Sequence, residues 1–187
     1  MIKQLFLSFV MAGAVLTAAA QTAMPPADKS PLDISYYPAD YPMLKIQGKV
    51  TESPIARVVY SRPSKSGRKV YGGLVEYGKV WRLGANEATE IEFYRNVKIN
   101  GKTVSKGRYT LYAIVEENQW NFIINKDTDC WGAFKYDEKK DVVRMQVPAR
   151  TVTNTQELVS MVFEKTTTGF NLVVAWDNVQ AALPITL

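Results

Sequence analysis

From Leu44 onward the chain never sustains the 3.6-residue apolar period of an amphipathic helix. Its hydrophobic residues come instead in short runs that alternate at every second position, with turn residues between them. A chain patterned this way has no helical face to bury, so its core must form between antiparallel sheets. The run Glu90–Ile99 shows the pattern best. It sets Ile91, Phe93, Arg95, Val97 and Ile99 on one side and Glu90, Glu92 and Tyr94 on the other. Asn100-Gly101 follows directly, and both central residues of a type I′ hairpin turn need the positive φ these two tolerate. Arg108–Glu116 and Trp120–Asn125 make a second hairpin around Glu117-Asn118-Gln119. Leu44–Val50, Ile55–Tyr60, Val142–Val147, Glu157–Lys165 and Phe170–Trp176 read as further strands. Gln180–Leu187 reads as an edge strand, where Pro184 is tolerated. Tyr136–Asp141 is too short to be more than a turn. The expected fold is all-β: an antiparallel sandwich, jelly-roll or immunoglobulin-like, with few or no helices in the mature chain.

The amino end differs. Lys3 precedes an apolar run from Leu5 to Ala20 that ends in Ala18-Ala19-Ala20, the small residues a signal peptidase reads. Residues 1–20 are therefore expected to be a signal peptide, with the protein exported to the periplasm or the exterior. The segment 21–42 carries Pro25-Pro26, Pro31, Pro38 and Pro42 and reads as an extended stretch, its second half packed down through Tyr36, Tyr37 and Tyr41. Residues 43–187 read as one sandwich domain. No later segment approaches the apolar length of a membrane anchor. The charges, 23 Lys+Arg against 18 Asp+Glu, are interspersed, which argues against a nucleic-acid partner.

Composition also narrows the chemistry. The count of histidines is 0, which removes Ser-His-Asp and Cys-His catalysis, imidazole acid–base work and His-ligated zinc or iron. The single cysteine, Cys130, cannot close an internal disulfide and reads as a small half-buried residue. No cofactor is implied. Any catalysis would rest on carboxylates, Lys, Tyr, Ser or a hard metal ion.

The stretch Tyr60–Phe93 concentrates the remaining signal. Gly72, Gly73, Gly78 and Gly84 permit tight turns, while Tyr71, Leu74, Val75, Tyr77, Val80 and Trp81 anchor them. A loop so anchored holds polar groups rigidly, and Arg62, Arg68, Arg82, Asn86 and Glu87 are the candidates. Ser61-Arg62-Pro63, Gly67–Val75, Tyr77–Arg82 and Gly84–Thr89 resemble the signature of a family catalogued as domain of unknown function 2911. The resemblance continues through Gly107–Leu111, Asn125-Lys126-Asp127, Trp131-Gly132, Tyr136-Asp137 and Leu172–Trp176. Glu76 departs from it, standing where a proline is expected. The resemblance implies a secreted β-sandwich in a cell-envelope setting and transfers no catalytic residues.

Four constellations bear on function. Arg62, Lys65, Arg68 and Lys69 form a basic, serine-rich loop that reads either as an anion site or as a solvated turn. Trp81-Arg82 with Asn86-Glu87 reads as an Arg82–Glu87 pair fixing the Gly84-Ala85 turn, or as a stacking platform with polar partners. Asn125-Lys126-Asp127-Thr128-Asp129 spaces its oxygens like a calcium loop but has Cys130 and Tyr136 where an EF-hand needs Gly and Glu, so it reads as a strand-ending loop. Of the four tryptophans, Trp120 and Trp176 are expected inward, and Trp81 and Trp131 toward a ligand. Three functions follow: a non-enzymatic module binding a glycan, peptide or envelope component; a small hydrolase using carboxylates such as Glu87 and Asp127; or a purely structural envelope protein. The candidate ligand residues are Arg62, Arg68, Trp81, Arg82, Asn86, Glu87, Asp127 and Trp131, with no catalytic or metal residue assigned.

Overall fold

A computed structural model describes residues 22–187, so the expected signal peptide lies outside the described residues. The strands are β1 (Leu32–Tyr37), β2 (Ala56–Ser61), β3 (Val80–Trp81), β4 (Glu90–Phe93), β5 (Val97–Ile99), β6 (Lys102–Val104), β7 (Gly107–Val115), β8 (Gln119–Asn125), β9 (Asp141–Lys165) and β10 (Gly169–Thr186). Among the described residues, one short helix, α1 (Tyr41–Ile46), and a 3-10 turn at Glu138–Lys140 complete the secondary structure. Every ladder is antiparallel, in the order β1-β2-β4-β7-β8-β9-β10-β5-β6.

Two long strands make this order a two-layer sandwich. β9 pairs with β8 from Asp141 to Pro148 and then with β10, and the β9–β10 ladder shifts register around Asp177, whose φ is 53°. A bulge of this kind bends a strand out of its plane. The second half of β9 thereby returns across β1 and β2. Val159 N–H donates to the Pro63 carbonyl at 3.2 Å, Lys65 N–H to the Glu157 carbonyl at 2.9 Å, and Ser35 Oγ to the Met161 carbonyl at 2.6 Å. Between the layers Trp81 stacks on Trp176 with ring centroids 6.0 Å apart and meets Trp120 edge-on at 5.8 Å. Tyr37 stacks on Phe170 at 4.1 Å.

The all-β expectation holds, and so do both hairpins: Asn100 and Gly101, with φ of 50° and 72°, turn β5 into β6. Three strand expectations change. Leu44–Val50 is no strand: Pro42 starts α1, and Met43 and Ile46 remain exposed, so the apparent alternation has no partner strand. Glu90–Ile99 is two strands, because Arg95 falls in the inward phase. Rather than bury a guanidinium, the chain turns outward at 94–96 and crosses from β4 in one layer to β5 in the other. Conversely, Val142–Val147 and Glu157–Lys165 are one bent strand, as are Phe170–Trp176 and Gln180–Leu187 up to Thr186.

Candidate functional site

β3 and β4 lie in line along the same edge of β7, β4 opposite Gly107–Thr110 and β3 opposite Ala113 and Ile114. The residues joining them, Arg82 to Thr89, leave that line and come back. Thr89 N–H donates to the Arg82 carbonyl at 3.0 Å and Thr89 Oγ1 to the Leu83 carbonyl at 3.0 Å, closing the excursion at its base. Ser61 Oγ on β2 both accepts from Ala85 N–H and donates to the Ala85 carbonyl, each at 2.6 Å. Gly84 is required here, since a Cβ at this position would stand 2.6 Å from Ser61 Oγ.

A second loop, Lys126–Asp137, lies against the first on the outer side of β7 and β8. Tyr112, Ile123 and Ala88 form a small buried cluster there, and Val80, Ile114, Cys130, Ala133 and Tyr136 pack on it. The two loops join through backbone bonds: Ala88 N–H donates to the Cys130 carbonyl at 2.8 Å, and Gly132 N–H to the Asn86 carbonyl at 2.9 Å, around an antiparallel Glu87–Trp131 bridge. Gly132 has a φ of 66°, and a Cβ on it would lie 2.7 Å from the Phe134 ring, so the ring folds back over the glycine.

This junction leaves Trp131 62% exposed and Phe134 83% exposed. The two rings separate three adjoining grooves. On one side of Trp131 a groove of about 290 Å³ is lined by Leu32, Val59, Glu87 and Glu90. Between Trp131 and Phe134 a larger groove of about 580 Å³ has Tyr112 in its wall and Asp127, Thr128 and Lys135 at its rim. Beyond Phe134 a third, of about 290 Å³, is lined by Leu74, Glu76, Lys79 and Arg82.

Charge is distributed unevenly over these grooves. Arg108 holds Glu90 at 3.3 Å and Asp129 at 2.6 Å, and both Asp127 oxygens accept from Lys140 Nζ at 2.7 and 2.8 Å. Glu87 has no cation within ion-pair distance among the described residues. Arg82 also lacks a carboxylate partner, its Nε is buried without a hydrogen bond, and burial pulls its pKa below the ordinary arginine range. Burial raises the Tyr112 hydroxyl well above its usual value. Burial, with a hydrogen bond to Asp141, pushes Tyr136 up to about 12. Both phenols are therefore neutral donors at physiological pH.

The eight sequence candidates divide accordingly. Glu87, Asp127 and Trp131 face the grooves, and Arg82 reaches the third. Asn86 holds the loop junction through its carbonyl and bonds Asp28 at 2.9 Å through its side chain. Arg62 ties β2 to β1 and β9, donating to Asp33, the Val159 carbonyl and Ser160. Arg68 bonds the carbonyls of Lys65 and Ser64 within its own loop. Trp81 is only 7% exposed and belongs to the core, touching just the floor of the third groove. The expected Arg82–Glu87 pair does not form; the two side chains line different grooves. Phe134, Lys135, Leu32 and Lys79 were not among the candidates. Of these, only Phe134 carried a signal: a second aromatic three residues from Trp131 in a glycine-containing loop outside any strand run.

The family model for a protein of unknown function, DUF2911, matches residues 42–185, which takes in every loop of this site. The chain belongs to that family. No curated protein and no solved structure matches it. The family description assigns no activity, so function must be argued from the grooves themselves. Of the carboxylates a hydrolase could use, Glu87 and Asp127 line different grooves and both Asp127 oxygens are engaged by Lys140, while Glu90 and Asp129 share the Glu87 groove and are held by Arg108. A two-carboxylate mechanism needs both groups free and facing one bond.

Proposed function

We propose that this protein is an exported, non-enzymatic carbohydrate-binding module of the cell envelope, with Trp131 as its stacking platform. The observation that carries the reading is the exposure of Trp131 at 62% on a loop whose backbone is fixed on both sides. An indole face offered to solvent from a rigid base suits the C–H face of a sugar ring, and it loses little conformational freedom on binding. The rim supplies what sugar hydroxyls need. Glu87 accepts, and Thr128 and Lys135 donate at the mouth of the adjoining groove. The apolar leader at residues 1–20 supports export.

A glycan array probed with wild-type protein and with Trp131→Ala tests this reading. The expected result is binding to one class of glycans that the substitution abolishes while the melting temperature stays the same. Binding that is unchanged in Trp131→Ala, or no glycan binding by the wild type, contradicts it and favours a peptide ligand or a structural role.

A further inference from the structure

Among the described residues, five of the eight arginines have partners. Arg57 pairs with Glu92, Arg62 with Asp33, Arg108 with Glu90 and Asp129, and Arg144 with Asp141, while Arg68 bonds two carbonyls. Arg95 and Arg150 are simply exposed to water. Arg82 alone is partly withdrawn from solvent with neither an ion pair nor a side-chain hydrogen bond, and its Nε is wholly buried. The Nε has lost its hydration without compensation, which is costly, while the terminal nitrogens keep access to the groove and can take an anion there. Arg82 lies in the groove beyond Phe134, where Lys79 adds a second positive charge and Glu76 the only carboxylate. The planar guanidinium fork matches a carboxylate group.

We infer that the Arg82 groove is an anion subsite that selects acidic saccharides, taking the carboxylate of a uronic acid while a neighbouring ring stacks on Trp131. The inference rests on the carbohydrate reading and adds the class of sugar. Phe134 lines both this groove and the central one, so one oligosaccharide running past that ring reaches both. A peptide carboxylate would satisfy Arg82 equally, but hydroxyl acceptors at the opposite end, beside Glu87, favour a polyhydroxylated chain.

The test is calorimetric titration with oligomers of galacturonic, glucuronic, mannuronic and guluronic acid, each set against its carboxyl-reduced neutral counterpart. At least one acidic oligomer is expected to bind about tenfold or more tightly than its neutral form. Arg82→Gln should erase that preference without lowering the melting temperature, and Arg82→Lys should retain part of it. Glu76→Gln, which removes the competing charge, should raise affinity for the acid about two- to threefold. Trp131→Ala should weaken acidic and neutral forms alike. Equal affinity for the two forms, or a preference that survives Arg82→Gln, overturns the anion subsite and leaves the carbohydrate reading intact. Failure of every saccharide to bind, or tighter binding of an acidic peptide, overturns both.

Discussion

Gly132 N–H donates to the carbonyl of Asn86 at 2.9 Å, and this bond joins two loops that are 46 positions apart in the chain. One loop brings Arg82 and Glu87; the other brings Trp131 and Phe134. Neither belongs to a strand, yet each is seated on strands: the first on Ser61 of β2, the second on the Tyr112–Ile123 cluster of β7 and β8.

Gly132→Ala is therefore expected to disturb both stability and binding. The new Cβ would meet the Phe134 ring at 2.7 Å, in a backbone conformation with φ of 66°. Strain of this type costs about 1–3 kcal/mol. Urea denaturation should show that loss, and the Phe134 side of the grooves should lose affinity with it.

Trp81, at the end of β3, and Trp131, on its loop, should separate cleanly. Trp81→Ala removes a ring stacked on Trp176 and should cost about 3–5 kcal/mol. Trp131→Ala removes an exposed ring and should stay within about 0.5 kcal/mol of wild type. Thermal melts of the two variants check this, and a core-like loss for Trp131→Ala would remove its role as a platform.

How far the sequence reveals this division follows from where each residue sits. Trp81 and Trp131 look alike in sequence, each beside a glycine-containing loop. What separates them is that β3 pairs with β7 over two residues, enough to aim Trp81 between the layers, a long-range fact with no local signature. The strand periods were legible because burial is set residue by residue, but period two alone passes over the layer crossing inside Glu90–Ile99, whose one local mark is Arg95 in the inward phase. The strand bend at Asp177, with φ of 53°, was not legible, because aspartate is merely tolerant of that conformation. The partnerless state of Arg82 was hidden for the same kind of reason: Glu87 is five residues away in sequence but opens into another groove.

Arg82→Met should stabilise the apo-protein slightly, by about 0.5–1 kcal/mol, since it replaces a buried, unsatisfied Nε with an apolar stem of similar reach. Chemical denaturation reads this directly. A marked loss of stability would mean that the guanidinium holds the fold together, and the anion subsite would lose its basis.

Acid should loosen the basic loop first. A hydrogen bond from Ser64 Oγ, then one from Ser66 N–H, hold the Glu157 carboxyl below its ordinary range. Because the folded pKa is depressed, the stabilisation is present above the unfolded carboxylate pKa of about 4.3 and is lost as pH falls through the lower folded value. Glu157→Gln should flatten this part of the stability-versus-pH curve between roughly pH 5 and pH 3, lowering the neutral-pH end towards the acid end and leaving the acid end comparatively unchanged. Denaturation midpoints across that range measure it; parallel curves for wild type and variant would contradict the assignment.

The most direct measurement is the indole N–H region of a 15N-labelled NMR spectrum during titration with the uronic-acid oligomers. Trp81, Trp120 and Trp176 are buried and Trp131 is exposed, so four signals report on four different positions. The Trp131 signal is expected to shift in a saturable way, with at most a small response from Trp81 beside the Arg82 groove, while Trp120 and Trp176 hold still. A Trp131 signal that stays fixed with every oligomer, or movement confined to Trp120 and Trp176, would contradict the account.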